Sequence, residues 1–162
     1  MPDVQKIVTF LWFNNNAEEA VRFYVSLFKD SKVLGITRYG GEVGPGPKGS
    51  VMTCEFQLAG QRFVALNGGP GVPFTEAISL SVNCDTQAEV DDLWDKLTAD
   101  GGRPIQCGWL KDRFGLSWQI VPTVLPELLK GDDQEKANRV MQAVEKMVKL
   151  DIARLKQTAE GR

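Results

Sequence analysis

The chemistry open to this chain is limited by a residue type that it lacks, because none of its 162 residues is a histidine. Histidine is the commonest general base in enzymes and the commonest metal ligand. A Ser-His-Asp triad is therefore excluded, and so is any zinc or iron site that depends on imidazole. Carboxylate chemistry, a cysteine nucleophile without histidine, an all-oxygen metal site and binding without catalysis stay open.

Glu55 is the best single candidate for a functional acid. It lies in the middle of a predicted strand, on the same face as Thr53 and Gln57. A carboxylate in such a place can accept a proton or anchor a cationic ligand. The plainer interpretation is a strand carboxylate in contact with water, and it is the more frequent case. By the same reasoning, Lys111, Asp112 and Arg113 are interpreted as solvent-exposed charges in a turn.

Composition narrows the class of protein further. The chain is 43% hydrophobic and 25% charged, with a net charge of −2 and no basic stripe. These values are typical of a soluble globular protein and argue against nucleic-acid binding. We find neither an apolar run of the ~20 residues that a membrane span needs nor a signal-peptide pattern, and we expect a cytoplasmic protein. The cysteines, Cys54, Cys84 and Cys107, are odd in number and widely separated, so we expect small buried residues.

An internal repeat is visible at a spacing of 70 residues. Residues 9–28 match residues 79–98 in their strand pattern, in a helix-capping residue (Asn15 and Asp85) and in a helical apolar stripe. The stripe occupies positions 20, 23, 24 and 27 in the first copy and 90, 93, 94 and 97 in the second. Agreement of all three features favours a duplication.

The predicted elements form two βαβββ repeats. Strands are expected near residues 6–13, 32–39, 51–58, 62–67, 77–82, 104–106, 108–111 and 116–121, and helices near 17–28, 87–98, 124–129 and 134–156. This pattern predicts an α+β fold in which the duplicated modules form a curved mixed-sheet cup with a C-terminal helical extension. We expect one domain over residues 1–162, with repeats at about 5–70 and 75–122 and C-terminal helices at about 123–158.

Strand alternation separates two predicted faces of the sheets. One face is uniformly apolar, includes Trp12 and Trp118, and is expected to pack against the helices together with Trp94. The other face mixes polar, small and aromatic residues, as a small-molecule site does; a wetted sheet surface is the alternative. The predicted ligand-binding residues are Thr9, Leu11, Phe13, Glu55, Asn67, Ser79, Ser81, Trp109 and Gln119.

Several local runs resemble a known superfamily. The duplicated βαβββ unit with Phe23-Tyr24 on its first helix is similar to the vicinal-oxygen-chelate proteins, which include glyoxalase I, bleomycin-resistance proteins and extradiol dioxygenases. The runs at residues 10–14, 17–20, 66–70, 112–115 and 117–122 resemble its PhnB-like, or 3-demethylubiquinone 3-methyltransferase-like, branch. The resemblance covers about residues 5–125 and the helix start at 135–137.

The resemblance implies four metal-ligand positions, which carry poor ligands in this chain. They fall on Thr9, on or next to Ala65, on Ile78 or Ser79, and on Gln119. An octahedral oxygen site needs carboxylates, so we expect no metal and no other cofactor. A methyltransferase activity is not supported either, because the glycine-rich stretches at 40–49 and 68–71 lie between predicted strands and do not open a helix.

The leading functional hypothesis is a small-molecule-binding module. A metal-independent enzyme using Glu55 and a purely structural or interaction dimer are the alternatives. The loop from Gly40 to Ser50 is either a lid over the cup or a flexible connection. The last helix carries an apolar stripe (Met141, Val144, Val148, Ile152 and Leu155) that exceeds the needs of the sheets, so we expect a homodimer.

Overall fold

A computed structural model describes residues 4–162. They form two compact units, one ending at Pro73 and the other beginning at Phe74. The first unit contains β1 (Thr9–Phe13), α1 (Ala17–Leu27), β2 (Lys32–Arg38), β3 (Val51–Leu58) and β4 (Gln61–Asn67). The second contains β5 (Ser79–Cys84), α2 (Gln87–Thr98), β6 (Arg103–Pro104), β7 (Trp109–Lys111), β8 (Ser117–Pro122), α3 (Val124–Leu129), α4 (Gln134–Glu145) and α5 (Ile152–Ala159).

The two units share one sheet topology. The strand order is β1-β4-β3-β2 in the first sheet and β5-β8-β7-β6 in the second. In each sheet the first strand runs parallel to the fourth, and the other neighbours are antiparallel. Ser79 follows Thr9, and Gln87 follows Ala17, by the predicted 70 residues. The α+β class, the duplicated βαβββ unit and the C-terminal helices are confirmed. Among the described residues, no helix is long and apolar enough to cross a membrane.

The residues that precede the two repeated helices are Asn16 and Thr86, each one position after the predicted capping residues Asn15 and Asp85. Thr86 caps α2 by accepting the Glu89 N–H, while the Glu89 carboxylate accepts the Asp85 N–H in a variant of the capping box. Asn16 precedes α1 but makes no side-chain cap. There the Ala17 N–H donates to Oδ1 of Asn67 at 2.9 Å, so the end of β4 closes the start of the helix.

Helix α1 covers the opposite face of the first sheet from the predicted one. Leu11 and Phe13 are each 4% exposed, whereas Phe10 is 61% and Trp12 is 36% exposed. The reason lies in Asn67, which must face α1 to accept the Ala17 N–H and which pairs with Phe13 in register. Because side chains alternate along a strand, the orientation of Asn67 determines which residues of β1 and β4 lie on the α1 side of the sheet. The prediction that Phe10 and Trp12 pack under the helix is wrong.

The predicted faces of the second sheet are confirmed. Trp118 and Ile120 are buried at 2% and 0% exposure on β8, which packs against α2. Gln119 and Val121, which alternate with them, are partly exposed.

The long C-terminal helix predicted over residues 134–156 is two helices, α4 and α5, separated by residues 146–151. The break is held by hydrogen bonds, because the Met147 and Val148 carbonyls accept the Cys107 and Gly108 N–H groups at 2.9 and 2.8 Å. Asp151 then caps α5. The predicted stripe is consequently discontinuous: Val144 and Leu155 are buried, while Met141 and Val148 are about two-fifths exposed.

Candidate functional site

The first open face is the side of the β1–β4 sheet opposite α1. Two rows of paired residues cross it. One row contains Phe10, Val64, Glu55 and Gly35, and the other contains Trp12, Leu66, Thr53 and Thr37. Each row therefore runs from an aromatic ring on β1 to a polar or small residue on β3 and β2. The Trp12 indole N–H donates to the Gly69 carbonyl at 3.0 Å, which fixes that ring at the end of its row.

Glu55 lies on this open face with Thr53 and Gln57, as the alternation predicted. Its Oε1 is 3.4 Å from Nη1 of Arg62, and both side chains are about two-fifths exposed. An exposed ion pair of this kind is worth little energetically. The geometry therefore matches the plainer interpretation, a carboxylate in contact with water that is available to a ligand on this face.

The second open face is the side of the β5–β8 sheet opposite α2. Ser81, Gln119 and Trp109 pair across β5, β8 and β7 and form one row. The Gln119 amide Nε2 donates to Ser79 Oγ at 2.9 Å, which ties that row to the start of β5. The fold thus brings together four of the predicted ligand-binding residues: Ser79, Ser81, Trp109 and Gln119.

The remaining predicted residues do not share a face with Glu55. Thr9, Leu11, Phe13 and Asn67 belong to the α1 side of the first sheet, where Asn67 is 8% exposed. Their inclusion came from the reversed face assignment, and the register of β1 against β4 accounts for the difference. Ligand contact by Glu55 and by the four residues of the second open face stays a prediction.

A cavity of about 690 Å³ that is open to solvent, here called the α1 cavity, is formed by residues of the first unit. Three segments form the walls of this cavity. They are the start of α1 with the turn before it (residues 14–16, 18 and 19), the β2–β3 loop, and the end of β4 with Gly69 and Pro70. Sequence reasoning missed this site, since it considered the loop from Gly40 to Ser50 only as a lid over the cup or a flexible connection.

Tyr39 organises the loop that forms one wall of the α1 cavity. Its hydroxyl donates to the Asn67 carbonyl, and its ring is 7% exposed. A Cβ added to Gly44 or Gly46 would lie 2.4 or 2.3 Å from atoms of that ring. The two glycines are therefore required for close approach to the ring. At these two positions the loop packs closely on the Tyr39 ring.

Asn67 joins three elements next to this cavity. Its Oδ1 accepts the Ala17 N–H, and its Nδ2 donates to the Val51 carbonyl at 3.1 Å. A buried amide with both ends paired orients its neighbours strongly. The asparagine that was predicted as a ligand contact thus also has a structural role in the cavity wall.

The residues at the expected metal positions do not form a ligand set. Ala65 has no donor atom and is fully buried, and Thr9 lies on the same α1 side of the sheet. Ser79 and Gln119 are hydrogen-bonded to each other. Within residues 4–162, no group of three His, Cys, Asp or Glu side chains is placed to hold a metal ion.

Two of the cysteines are poor nucleophiles. Cys54 and Cys84 are fully buried. Burial raises the pKa of the Cys84 thiol to about 12, with smaller contributions from Glu89 and Asp85. Burial also raises the pKa of Cys54, and the charge of Glu18 adds to that effect. Since the thiolate is the reactive form, neither thiol is activated at neutral pH.

The α+β fold of duplicated βαβββ units is shared with several solved structures. A family profile described as 3-demethylubiquinone-9 3-methyltransferase matches residues 5–121. The chain belongs to that family.

One solved structure carries the same family description, and two more distant ones share the fold. A PhnB protein from Bacillus cereus is 40% identical over 74% of this chain and 100% of its own, with a TM-score of 0.67. Protein PA1353 from Pseudomonas aeruginosa is 24% identical over 74% of this chain and 98% of its own, with a TM-score of 0.60. The fosfomycin resistance protein FosX from Listeria monocytogenes, complexed with Mn(II) and sulfate, is 14% identical over 80% of this chain and 99% of its own, with a TM-score of 0.50. Comparison with curated proteins finds no match.

Proposed function

We propose that this protein binds a small organic molecule on its second open face and does so without a metal ion. The row of Ser81, Gln119 and Trp109 carries the proposal, since it places two hydrogen-bonding groups beside an indole on a partly exposed surface. Small-molecule sites combine apolar walls with a few placed polar groups in this way. The hydrogen bond from Gln119 to Ser79 holds the amide in one orientation before a ligand arrives.

The lack of a metal-ligand set among residues 4–162 supports binding without metal. FosX is described with Mn(II), but the positions in this chain that correspond to the superfamily's ligands carry a threonine, an alanine, an isoleucine or serine, and a glutamine. Neutral oxygens alone hold a divalent ion weakly. The family name refers to methyl transfer, yet the glycine-rich stretches lie between β2 and β3 and between β4 and β5, where they open no helix.

The test is Ser79→Phe, examined by native mass spectrometry of protein purified without denaturation. The larger side chain should occupy the row beside Gln119 and abolish retention of the small molecule that copurifies with the wild type. The melting temperature should change little, because the side chain fills space on a partly exposed face. Ser26→Phe, on an exposed position of α1, is the matched control and should retain the ligand.

Three outcomes would contradict the proposal. Unfolding of Ser79→Phe, while the control folds, would mean that this face is packed core. Normal retention by the variant would place the site elsewhere. Recovery of no small molecule from any preparation would favour a structural or interaction role.

We also propose that two copies of the chain associate. Large apolar side chains are exposed in both units, among them Phe10 at 61% and Ile78 at 70%. Such groups favour burial against a partner. Sedimentation at micromolar concentration should give about twice the mass of one chain, and Phe10→Ser should shift the equilibrium toward the monomer. A mass of one chain at every concentration would reject the dimer.

A further inference from the structure

We propose that the α1 cavity of the first unit is a second binding site, separate from the second open face, and that it takes a small organic cation with a short alkyl segment. Its volume of about 690 Å³ lies within the range of ~300–1,000 Å³ that small-molecule sites occupy. All of its described lining residues belong to one unit, so the site is complete within one chain.

The charge of the lining selects a cation. Glu18 and Glu19 both line the cavity, and none of its described lining residues is a lysine or an arginine. The side-chain amides of Asn14, Asn15 and Asn16 add carbonyl oxygens that can accept hydrogen bonds from an ammonium or guanidinium group.

An anion is the alternative that the start of a helix would normally suggest. Here the Ala17 N–H already donates to Asn67 Oδ1. The first turn of α1 also carries the carboxylates of Glu18 and Glu19. These two negative charges already interact with the positive end of the helix dipole, and they repel an anionic ligand. These groups together oppose an anion and leave the cation as the ligand class.

The walls of the cavity account for the alkyl segment. Pro45, Pro47 and Pro70 line it together with Val51 and the ring of Tyr39. The loop that carries the first two prolines is fixed by the close packing of Gly44 and Gly46 on that ring. A ligand with a charged end and a methylene chain therefore meets carboxylates at one part of the wall and rigid apolar groups at another.

Arg22 is the protein cation that pairs with Glu18. Its guanidinium lies 2.8 Å from Oε1 of Glu18, and the two side chains are 62% and 36% exposed. An exposed pair between residues four apart on a helix contributes only ~0.3–0.5 kcal/mol. The charged end of a ligand can therefore replace Arg22 at little cost.

The test is isothermal titration of the full chain with agmatine, which has a guanidinium, an amine and a four-carbon chain. Adipate and 1,6-hexanediol serve as anionic and neutral probes of similar length. We expect agmatine to bind and the other two not to bind. Glu18→Gln and Glu19→Gln should each weaken agmatine binding at least about fivefold, and the double variant should abolish it. Raising the salt concentration should weaken binding by the wild type.

Glu145→Gln, on an exposed position of α4 in the second unit, removes the same charge outside the cavity and should bind agmatine normally. Thermal unfolding of every variant confirms that the fold is intact. Equal binding by the double variant, equal loss in Glu145→Gln, binding of adipate in preference to agmatine, or absence of agmatine binding by the wild type would each overturn the assignment. Ser79→Phe should leave agmatine binding unchanged, which separates this test from that of the second open face.

Discussion

The indole N–H of Trp118 donates to Oδ2 of Asp112 at 2.9 Å in the interior of the second unit. Both residues are 2% exposed. The other carboxylate oxygen of Asp112 accepts the backbone N–H groups of Phe114 and Leu116 at 2.9 and 3.1 Å. The buried Asp112 side chain therefore closes the β7–β8 turn and also accepts the hydrogen bond of the buried Trp118 indole. The interpretation of Asp112 as a solvent-exposed turn charge is wrong.

Asp112→Asn is expected to lower the free energy of unfolding by about 2 kcal/mol. The Asp112 carboxylate accepts hydrogen bonds from three N–H groups, whereas the NH₂ group of an asparagine would face at least one of them and leave it without an acceptor. A buried N–H without a partner costs ~1–3 kcal/mol. Urea denaturation followed by tryptophan fluorescence measures the change. Asp95→Asn, at an exposed position of α2, is the control and should stay within ~0.5 kcal/mol of the wild type. Equal stability of the two variants would contradict this account.

Gly46→Ala is expected to destabilise the first unit or to displace its β2–β3 loop. The new methyl would lie 2.3 Å from Cδ2 of Tyr39, so the ring or the loop must move. Overpacking of this kind costs ~1–3 kcal/mol. Gly40→Ala is the matched control, because a Cβ there has no neighbour within 4 Å. Calorimetric melting of both variants tests the prediction, which fails if Gly46→Ala melts at the same temperature as Gly40→Ala.

The duplicated fold was predictable because its signals are local. The spacing of the apolar positions on α1 and α2 and the alternation on β8 are set by helix and strand periods that the sequence displays directly. The start of α1 matched the prediction for the same reason.

The face of the first sheet was not predictable, because Leu11 and Phe13 are as apolar as Phe10 and Trp12. Alternation alone does not say which pair lies under the helix. The choice depends on the amide of Asn67, 50 residues from its partner Ala17. The α1 cavity was missed for a similar reason, since it depends on the packing of Tyr39 against glycines of the loop. The break between α4 and α5 likewise depends on hydrogen bonds to residues about 40 positions earlier.

The Cys84 thiol makes the stability of the protein depend on pH in the alkaline range. Its pKa is raised from 9.0 to about 12 in the folded state, mainly by burial. Above pH 9 the unfolded chain releases this proton while the folded chain keeps it, so the free energy of unfolding falls as the pH rises from about 9 to about 12. The free energy of unfolding of the wild type should therefore fall more than that of Cys84→Ala between pH 8 and pH 10.5, so the advantage of the wild type should shrink. Urea midpoints at the two pH values measure it, and a constant difference would contradict the raised pKa.

Ser117 has the one buried side-chain oxygen or nitrogen without a hydrogen-bond partner among the described residues. It is fully buried on β8, in register with Ser79 and Lys111. An unpaired buried hydroxyl costs ~1–3 kcal/mol, and removing it leaves only a small loss of packing. We expect Ser117→Ala to equal or exceed the wild type in stability, by up to about 1 kcal/mol in urea denaturation. Ser81→Ala, on an exposed position of β5, controls for the change in strand propensity and should have little effect. A loss of more than ~1 kcal/mol in Ser117→Ala alone would mean that the hydroxyl has a partner, such as a buried water molecule, that stabilises the folded state.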